Sequence, residues 1–232
     1  FTDIWEGGMP GYLIWLNARL YEMKRLLKPT GSIYVHCDWH AAHYIKMEMD
    51  RLFGYENLIN EVIWSYKSGG GSKRHFGRKH DTLLLYASDR QGYSFHPDAV
   101  RVPYDAIIAE SRREMFNPDG KVSPDVWDIS RPPNHSKEWI GYPTQKPEAV
   151  LEMAIKSVTQ AGQTVADFFC GGGTTPAVAQ KLGRRWIGCD ISRVAVALTA
   201  DRIARILAPK LKEARRATKV KKGSGLFADV VH

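Results

Sequence analysis

The chain has 232 residues, of which 44% are hydrophobic and 25% are charged, a composition that suits a globular fold with a full core. No apolar run approaches the roughly 18 residues of a membrane-spanning helix and no signal peptide is visible, so we expect a cytoplasmic protein. The net charge of +8 is concentrated in residues 67–81 and 209–222, which favours a polyanionic partner.

The cysteine content argues against disulfides and metal binding. Cys37, Cys170 and Cys189 stand far apart, with no CxxC pair. Each follows or interrupts a strand-like run, so we predict buried, reduced thiols and no metal site. The first residue is Phe1 rather than Met, and we therefore expect that the chain begins inside a longer protein.

The first third of the chain alternates predicted helices and strands. Residues 12–28 carry apolar side chains at helical spacing, and a short buried strand is predicted over residues 32–37. A second helix with an apolar face follows over residues 42–52. Two further strands are predicted, at residues 58–66 and 82–87.

A glycine-rich, basic loop lies between the last two of these strands. Flexible backbone with cationic side chains suits a loop that closes on DNA phosphates, and a surface loop with incidental charge is the alternative. The predicted DNA-binding residues are Lys67, Lys73, Arg74, Arg78, Lys79 and His80.

Residues 88–140 lose periodicity, and a stretch of this length without strong elements is usually functional or an insertion. Beyond it, Pro147 is well placed to begin a helix. A last helix is predicted over residues 192–207 and stops at Pro209. The basic tail over residues 209–232 is either a contact for the polyanion or a solvated end.

The most informative stretch is Val165-Ala166-Asp167-Phe168-Phe169-Cys170-Gly171-Gly172-Gly173-Thr174-Thr175. It is a strand that ends in an acid, followed by three glycines and by two threonines that open a helix. The next strand ends at Asp190. Glycine-rich amides and helix N-termini attract anionic groups, and an acid after the second strand holds ribose hydroxyls. This unit fits NAD, FAD or S-adenosylmethionine.

Three details favour S-adenosylmethionine. Pro176 stands where the third glycine of a dinucleotide fingerprint would fall. Asp167 precedes the loop, where a carboxylate suits an ammonium-bearing ligand better than a pyrophosphate. Little more than one helix follows Asp190, so the missing strands must come from upstream and the sheet must be wound in a permuted order. An NAD-dependent oxidoreductase remains the alternative enzyme class. A glycine turn with a purely structural role and no ligand is the other alternative.

These motifs resemble those of the β-type amino-group DNA methyltransferases, which act on N6 of adenine or N4 of cytosine. Residues 167–175 resemble the methyl-donor motif of that family, and Tyr142-Pro143-Thr144-Gln145-Lys146-Pro147 resembles its Pro-Thr-Gln-Lys-Pro segment. Gly188-Cys189-Asp190-Ile191-Ser192 resembles its ribose-binding segment. Residues 26–38 and 60–64 resemble its core strands.

The resemblance implies an α/β, Rossmann-like methyltransferase fold, with a mostly parallel sheet flanked by helices, a permuted strand order and an irregular target-recognition insertion. It divides the chain into part of the catalytic half (residues 1–87), the insertion (88–140), the S-adenosylmethionine-binding half (141–208) and the basic tail (209–232).

The resemblance also implies a set of cofactor-binding residues. These are Asp167, Phe168, Phe169, Cys170, Gly171, Gly173, Thr174, Thr175, Asp190, Ile191, Ser192, Thr144, Gln145 and Lys146. In the family pattern, Asp167 and the glycine amides hold the methionine portion of the donor. Asp190 holds its ribose, and Lys146 faces its carboxylate.

The reaction implied is transfer of a methyl group from S-adenosylmethionine to the exocyclic amine of a base flipped out of double-stranded DNA, favouring adenine N6 over cytosine N4. Carbon-5 methylation would need a cysteine nucleophile, usually after a proline, and none of the three cysteines fits. A catalytically inactive DNA-binding relative is the alternative from another class. A restriction subunit, a specificity subunit and a second copy stay open as partners.

One departure from the family is large. Its catalytic Asp/Asn/Ser-Pro-Pro-aromatic tetrapeptide does not occur in this chain, whose only Pro-Pro stands in Arg131-Pro132-Pro133-Asn134. We expect the motif upstream of Phe1, so that no catalytic residue lies in this chain.

A few aromatic and ionisable residues near strand ends have two interpretations. His36 and Asp38 close a strand at the sheet edge where ligands bind, and they either line the pocket or form a structural pair. Trp64 and Trp186 are predicted to lie in the core rather than to stack on a base.

Overall fold

The structure is a computed structural model that describes residues 7–67, 71, 73–104, 115–131, 135–136 and 138–224, with side chains up to residue 209 and at Lys212. The chain divides into two units. The first unit contains residues 1–133 and 149–160, and the second contains residues 134–148 and 161–232.

The predicted alternation of helices and strands in the first unit is confirmed. Its leading elements are α1 (Gly8–Leu26), β1 (Ser32–Cys37), α2 (Ala42–Phe53), β2 (Leu58–Ser65) and β3 (His80–Ala87). They are followed by the short strands β4 (Arg101–Val102), β5 (Lys121–Val122) and β6 (Val126–Asp128), and by α3 (Glu148–Val158), which begins in the second unit at its first residue.

Four strands of the first unit form one sheet in the order β1-β3-β2-β6. β3 is antiparallel to both β1 and β2, and β2 is parallel to β6. The prediction of a mostly parallel sheet is therefore wrong for this unit. β1 and β2, which α2 connects, do run in the same direction. However, β3 follows β2 in the opposite direction and inserts between them.

β3 is the central strand of this sheet and carries its core. Every residue of β3 after His80 is buried, including Asp81 and Thr82. One apolar cluster joins α1 and α2 to the sheet around Met49 and Tyr86, and a second cluster lies around Trp64 and Trp127. The predicted core position of Trp64 is confirmed, because its side chain is fully buried and its indole N–H donates to the carbonyl of Ile129 at 2.7 Å.

The irregular region over residues 88–140 contains more regular structure than its sequence indicates. β4 and β5 pair with each other, and the three residues of β6 extend the main sheet through Trp64↔Trp127. A strand of three residues is too short to show alternation, so the pattern could not reveal it. Residues 105–114, 132–134 and 137 of this region lie outside the described residues.

The second unit contains the predicted strand–loop–helix–strand motif. Its elements are β7 (Thr164–Asp167), α4 (Thr174–Lys181), β8 (Arg185–Gly188) and α5 (Arg193–Ser224). β7 and β8 are parallel, and Asp167 lies opposite Gly188. Parallel neighbours need a crossover connection, which α4 supplies here.

Two predictions for this part of the chain are wrong. The last helix does not stop at Pro209 but continues to Ser224. Proline removes one hydrogen-bond donor and usually bends or ends a helix, yet the helical backbone of α5 accommodates it. Cys37 and Cys170 are buried free thiols as predicted, whereas Cys189 is exposed because it lies just beyond the end of β8.

Among the described residues, no helix is both long and apolar enough to cross a membrane. Trp186 is half-buried, and its indole N–H donates to the side chain of Gln180 at 2.9 Å.

The buried hydroxyl of Tyr86 gives a test of how the first unit is held together. It donates to Asp50 Oδ1 on α2 at 2.6 Å, linking the central strand to the helix layer. We predict that Tyr86→Phe lowers the free energy of unfolding by about 2 kcal/mol, since Asp50 loses a buried donor. Tyr44→Phe, at an exposed position on the same helix, is the control. Equal urea midpoints for the two variants would contradict the assignment.

Candidate functional site

The glycine loop (residues 168–173) connects β7 to α4, and its shape requires glycine at two positions. Gly171 and Gly173 have φ of +50° and +72°, in the left-handed region that glycine adopts readily. A Cβ on Gly171 would lie 3.0 Å from the ring of Tyr142, and one on Gly173 would lie 2.5 Å from Thr199 Oγ1. Close packing and backbone conformation therefore exclude side chains at both positions.

Helix α5 supports the glycine loop through two polar side chains. Thr199 Oγ1 donates to the carbonyl of Gly171 at 3.0 Å, and Arg202 Nη1 donates to the carbonyl of Gly172 at 3.2 Å. The same nitrogen also donates to Thr174 Oγ1, at 3.2 Å, at the start of α4. Two carbonyls of the loop are thereby held in place.

Arg202 is buried and is neutralised by Glu148. Its Nη2 lies 2.7 Å from Glu148 Oε1, and Lys181 donates to the other carboxylate oxygen. Burial alone would raise the pKa of Glu148, but the hydrogen bonds and charges of Lys181 and Arg202 outweigh it and hold that pKa below its ordinary value. Within the second unit, this network joins Glu148 to both ends of α4, at Thr174 and Lys181, and to Arg202 on α5.

Sequence reasoning missed Thr199 and Arg202. It predicted the last helix but gave no functional residue on it. The buried face of α5 includes Ala195, Thr199, Arg202 and Ile203. The available signal was an arginine three residues after a threonine beside Ile203, on a helix that follows a glycine loop.

Two carboxylates lie at the loop and bind its backbone. Asp190 accepts hydrogen bonds from the amides of Gly171, at 2.9 Å, and Ser192, at 2.8 Å. Asp167 accepts from the amide of Phe169 at 3.0 Å. Burial raises the pKa of Asp167, and the charge of Asp190 raises it further, against the hydrogen bonds that it accepts. In the described part of the chain, no lysine or arginine forms an ion pair with either carboxylate.

The segment over residues 138–147 packs directly on the glycine loop. Tyr142 is buried against Gly171 and Gly172, and Thr174 Oγ1 donates to the carbonyl of Lys146 at 3.4 Å. Gln145, predicted to contact the donor, is buried: its amide nitrogen donates to the carbonyl of Glu138, and its oxygen accepts from the amide of Ile140. In this structure Gln145 therefore shapes the segment itself.

The remaining predicted cofactor-binding residues differ in exposure. Thr144, Phe169 and Ile191 are exposed, the last at 99%, whereas Cys170 is buried. The other members of the set are half-buried, namely Lys146, Phe168, Thr175 and Ser192. The second unit thus contains all fourteen predicted residues around one loop and its two flanking strands.

Pro176 stands where a dinucleotide fingerprint has its third glycine, yet α4 still packs closely on β8. Its ring is fully buried on α4, and a Cβ on Gly188 would lie 3.0 Å from Pro176 Cγ. The glycine that allows the helix to approach the strand stands in β8 instead of in the helix.

The first unit contains the basic loop (residues 67–80), which leaves the carboxyl end of β2. Its stem is closed by a hydrogen bond from the amide of Tyr66 to the carbonyl of Lys79 at 2.9 Å. Lys67 lies 3.4 Å from Asp128, and residues 73–78 are exposed. Residues 68–70 and 72 lie outside the described residues, and the predicted DNA contacts stay a prediction.

The carboxyl end of β1 lies beside this loop and carries a polar cluster. His36 Nε2 lies 3.1 Å from Asp81 Oδ2, and Tyr66 donates to the other oxygen of Asp81 at 3.3 Å. Asp38 pairs with His40 at 2.8 Å. His36 and Asp38 thus each have a polar partner here, and both interpretations of them stay predictions.

A glycine loop between two parallel strands, with a carboxylate after each strand, defines a nucleotide-binding α/β unit of the methyltransferase type. The sequence matches the model of the N6_N4_Mtase family, described as DNA methylase, over residues 6–201. The chain therefore belongs to the N6/N4 DNA methylase family.

Individual relatives agree with this assignment. The chain is 32% identical to the DNA adenine methyltransferase YhdJ of Escherichia coli over 188 residues, which cover 78% of the chain and 63% of YhdJ. It is 31% identical to the type II methyltransferase M.HpaI of Haemophilus parainfluenzae over 193 residues, 83% of the chain and 59% of M.HpaI. The chain thus spans about 60% of the length of these two relatives.

Solved structures share the fold. The cytosine-N4-specific PvuII DNA methyltransferase superposes with a TM-score of 0.68 at 18% identity, over 87% of this chain and 74% of that one. The M1.HpyAVI–SAM complex superposes with a TM-score of 0.61 at 17% identity, over 82% of both chains.

The Glu148 network predicts an acid-dependent part of the stability. A carboxylate whose pKa is lowered by folding contributes stability above its unfolded pKa, near 4.5, and loses it as the pH falls toward the lowered value. We predict that Glu148→Gln lowers the free energy of unfolding by about 2 kcal/mol at pH 7, and that the difference from the wild type narrows below about pH 4.5.

Urea unfolding at a series of pH values measures this effect. The control is Glu152→Gln, which removes an exposed pair with Lys156 on α3 and is expected to change little. A gap between wild type and Glu148→Gln that stays constant with pH would contradict the role given to this carboxylate.

Proposed function

We propose that this protein is an S-adenosylmethionine-dependent DNA methyltransferase that methylates the exocyclic amine of a base, with adenine N6 as the target. The observation that carries the proposal is the pair of carboxylates, Asp167 and Asp190, at a glycine loop whose neighbouring guanidinium, Arg202, is already paired with Glu148. Two half-buried carboxylates at one loop favour a positively charged ligand. A sulfonium donor with an α-ammonium group supplies that charge, whereas the pyrophosphate of NAD would add negative charge.

The residues present fit such a donor. Asp190 has both oxygens committed to loop amides, yet each carboxylate oxygen accepts more than one hydrogen bond and can also take a ribose hydroxyl. The carboxylate of Asp167 suits the ammonium group of the methionine portion. The exposed side chains of Phe169 and Ile191 suit the flat faces of an adenine ring.

The cysteines of the site support amine chemistry over carbon-5 chemistry. Burial raises the pKa of Cys170, and the charges of Asp167 and Asp190 raise it further. In the first unit, burial and nearby acids raise the pKa of Cys37 to about 12. Both thiols therefore stay protonated and make poor nucleophiles, whereas an exocyclic amine attacks an activated methyl group without a protein nucleophile.

The donor, when bound, supplies an electrophilic methyl group, and the chain positions it against the acceptor. The 232 residues contain no Asp/Asn/Ser-Pro-Pro-aromatic tetrapeptide, so the residues assigned here bind donor and DNA, and none is assigned to the acceptor amine. The name of YhdJ favours adenine, and the specificity of the PvuII enzyme keeps N4 of cytosine as the alternative.

A substitution at Asp190 tests donor binding. We predict that Asp190→Asn weakens S-adenosylhomocysteine binding by about tenfold to hundredfold, since the amide has one acceptor oxygen and its NH₂ group opposes the loop amides. Isothermal titration calorimetry measures the affinity, and NADH in the same titration is expected not to bind.

Asp201→Asn on α5, which removes an exposed pair with Arg205, is the matched control for this experiment. Duplex DNA affinity is expected to stay within about twofold of the wild type. An equal loss of donor and DNA binding in Asp190→Asn would mean that the substitution damages the fold, and NADH binding in place of S-adenosylhomocysteine would refute the proposal.

The basic loop is proposed to contact DNA phosphates, and salt dependence tests this. We predict that Lys73→Gln lowers the slope of log affinity for duplex DNA against log salt concentration by about one, because one phosphate contact is lost. The control is Lys28→Gln. Lys28 is an exposed lysine just before β1, at the end of that strand opposite to the basic loop, and its substitution is expected to leave the slope unchanged. Equal slopes for both variants would exclude Lys73 from the interface.

A further inference from the structure

The basic loop is fixed to the sheet at its second half. The guanidinium of Arg78 lies over the indole of Trp39, 3.7 Å from the ring centroid, and the ring of His40 lies 3.6 Å from the same indole. His40 is in turn hydrogen-bonded to Asp38, directly after β1. A cation–π contact of this kind is attractive even at an exposed site. The second half of the loop is therefore held in a defined position at the carboxyl end of β1.

Phe76 lies two residues before this anchor and is 98% exposed. It is the most exposed aromatic side chain in the described part of the chain. His75 folds against the backbone beside it, with Nδ1 2.9 Å from the carbonyl of Phe76. A large apolar ring is thus presented to solvent between His75 and the stacked Arg78.

The charges around Phe76 indicate the chemistry of that partner. Lys73, Arg74 and His75 precede the ring, and Arg78 and Lys79 follow it. Residues 67–80 contain no acidic residue at all. Cations on both sides of an exposed ring match a polyanion with an apolar interior, which is the arrangement of phosphates and stacked bases in duplex DNA.

We propose that Phe76 inserts between stacked bases of duplex DNA while the cations on either side of it hold the phosphates. This inference rests on the proposed function and extends it, since it gives one residue the task of opening the base stack. An apolar side chain that inserts into duplex DNA unstacks a base step, and the bases then cover the side chain. Stacking of a ring on a base tolerates any sequence because every base has a π-face. The Trp39–Arg78 contact is a positioning contact that fixes the base of the loop.

The test uses the full chain and a mixed-sequence duplex in which 5-iodouracil replaces thymine. Photocrosslinking followed by peptide mapping is expected to give an adduct at Phe76 in the wild type, because this probe reacts with aromatic rings stacked on it. Phe76→Ala is expected to lose the adduct and to weaken duplex affinity by about tenfold, with an unchanged salt slope. Phe76→Tyr is expected to retain both.

The matched control is Tyr55→Ala, an aromatic that is 72% exposed and lies just before β2, at the opposite end of that strand. It is expected to bind duplex as the wild type does. Unchanged affinity and an unchanged adduct pattern in Phe76→Ala would overturn the inference. It would also be overturned if Phe76→Ala lost self-association in sedimentation but kept its DNA binding, because the ring would then contact a second copy of the chain. If the wild type binds S-adenosylhomocysteine but no duplex, the DNA part of the proposed function fails together with the inference; if it binds both and Phe76→Ala behaves as the wild type, the inference alone fails.

Discussion

The proposed donor site depends on one buried charge, the guanidinium of Arg202. A buried arginine is tolerable only when it is paired and fully hydrogen-bonded, and Arg202 reaches Glu148, Thr174 and the carbonyl of Gly172 together. Glu148 and Thr174 are the first residues of α3 and α4, and Gly172 lies in the glycine loop. Pairing the charge of Arg202 therefore also fixes the relative positions of these three residues within the second unit. The conformation of the proposed ligand-facing residues thus depends on residues that are not proposed to contact the ligand.

Asp190 has one observed task and one proposed task, and both use the same oxygens. Its carboxylate ties the glycine loop to the turn after β8 through Gly171 and Ser192, and the proposed ribose hydroxyls approach the same group. A shared acceptor of this kind couples the order of the loop to occupation of the site. Donor binding and local stability of the second unit should therefore change together when this carboxylate is altered, which a role in ribose binding alone would not require.

Local chemistry was readable from the sequence, whereas contacts distant along the chain were not. The glycine loop, its acids and the strands around it follow from spacing within about 25 residues, and the structure confirms the strand–loop–helix–strand unit. The insertion of β3 between β1 and β2, the three-residue β6 and the partners of Arg202 depend on residues far apart in sequence, which local periodicity cannot report. Continuation of α5 through Pro209 shows tertiary context overriding a local helix-stop signal.

The charges of the protein are sorted by the ligand that each region is proposed to meet. The glycine loop of the second unit is bordered by Asp167 and Asp190, which suit a cationic donor. The basic loop of the first unit contains cations and no acid over residues 67–80. Carboxylates in the basic loop would repel phosphates, and cations beside Asp167 would neutralise the charge that attracts a sulfonium. A net charge of +8 therefore hides the pattern, because the glycine loop and the basic loop carry opposite local charges, each suited to a different reactant of the proposed methyl transfer.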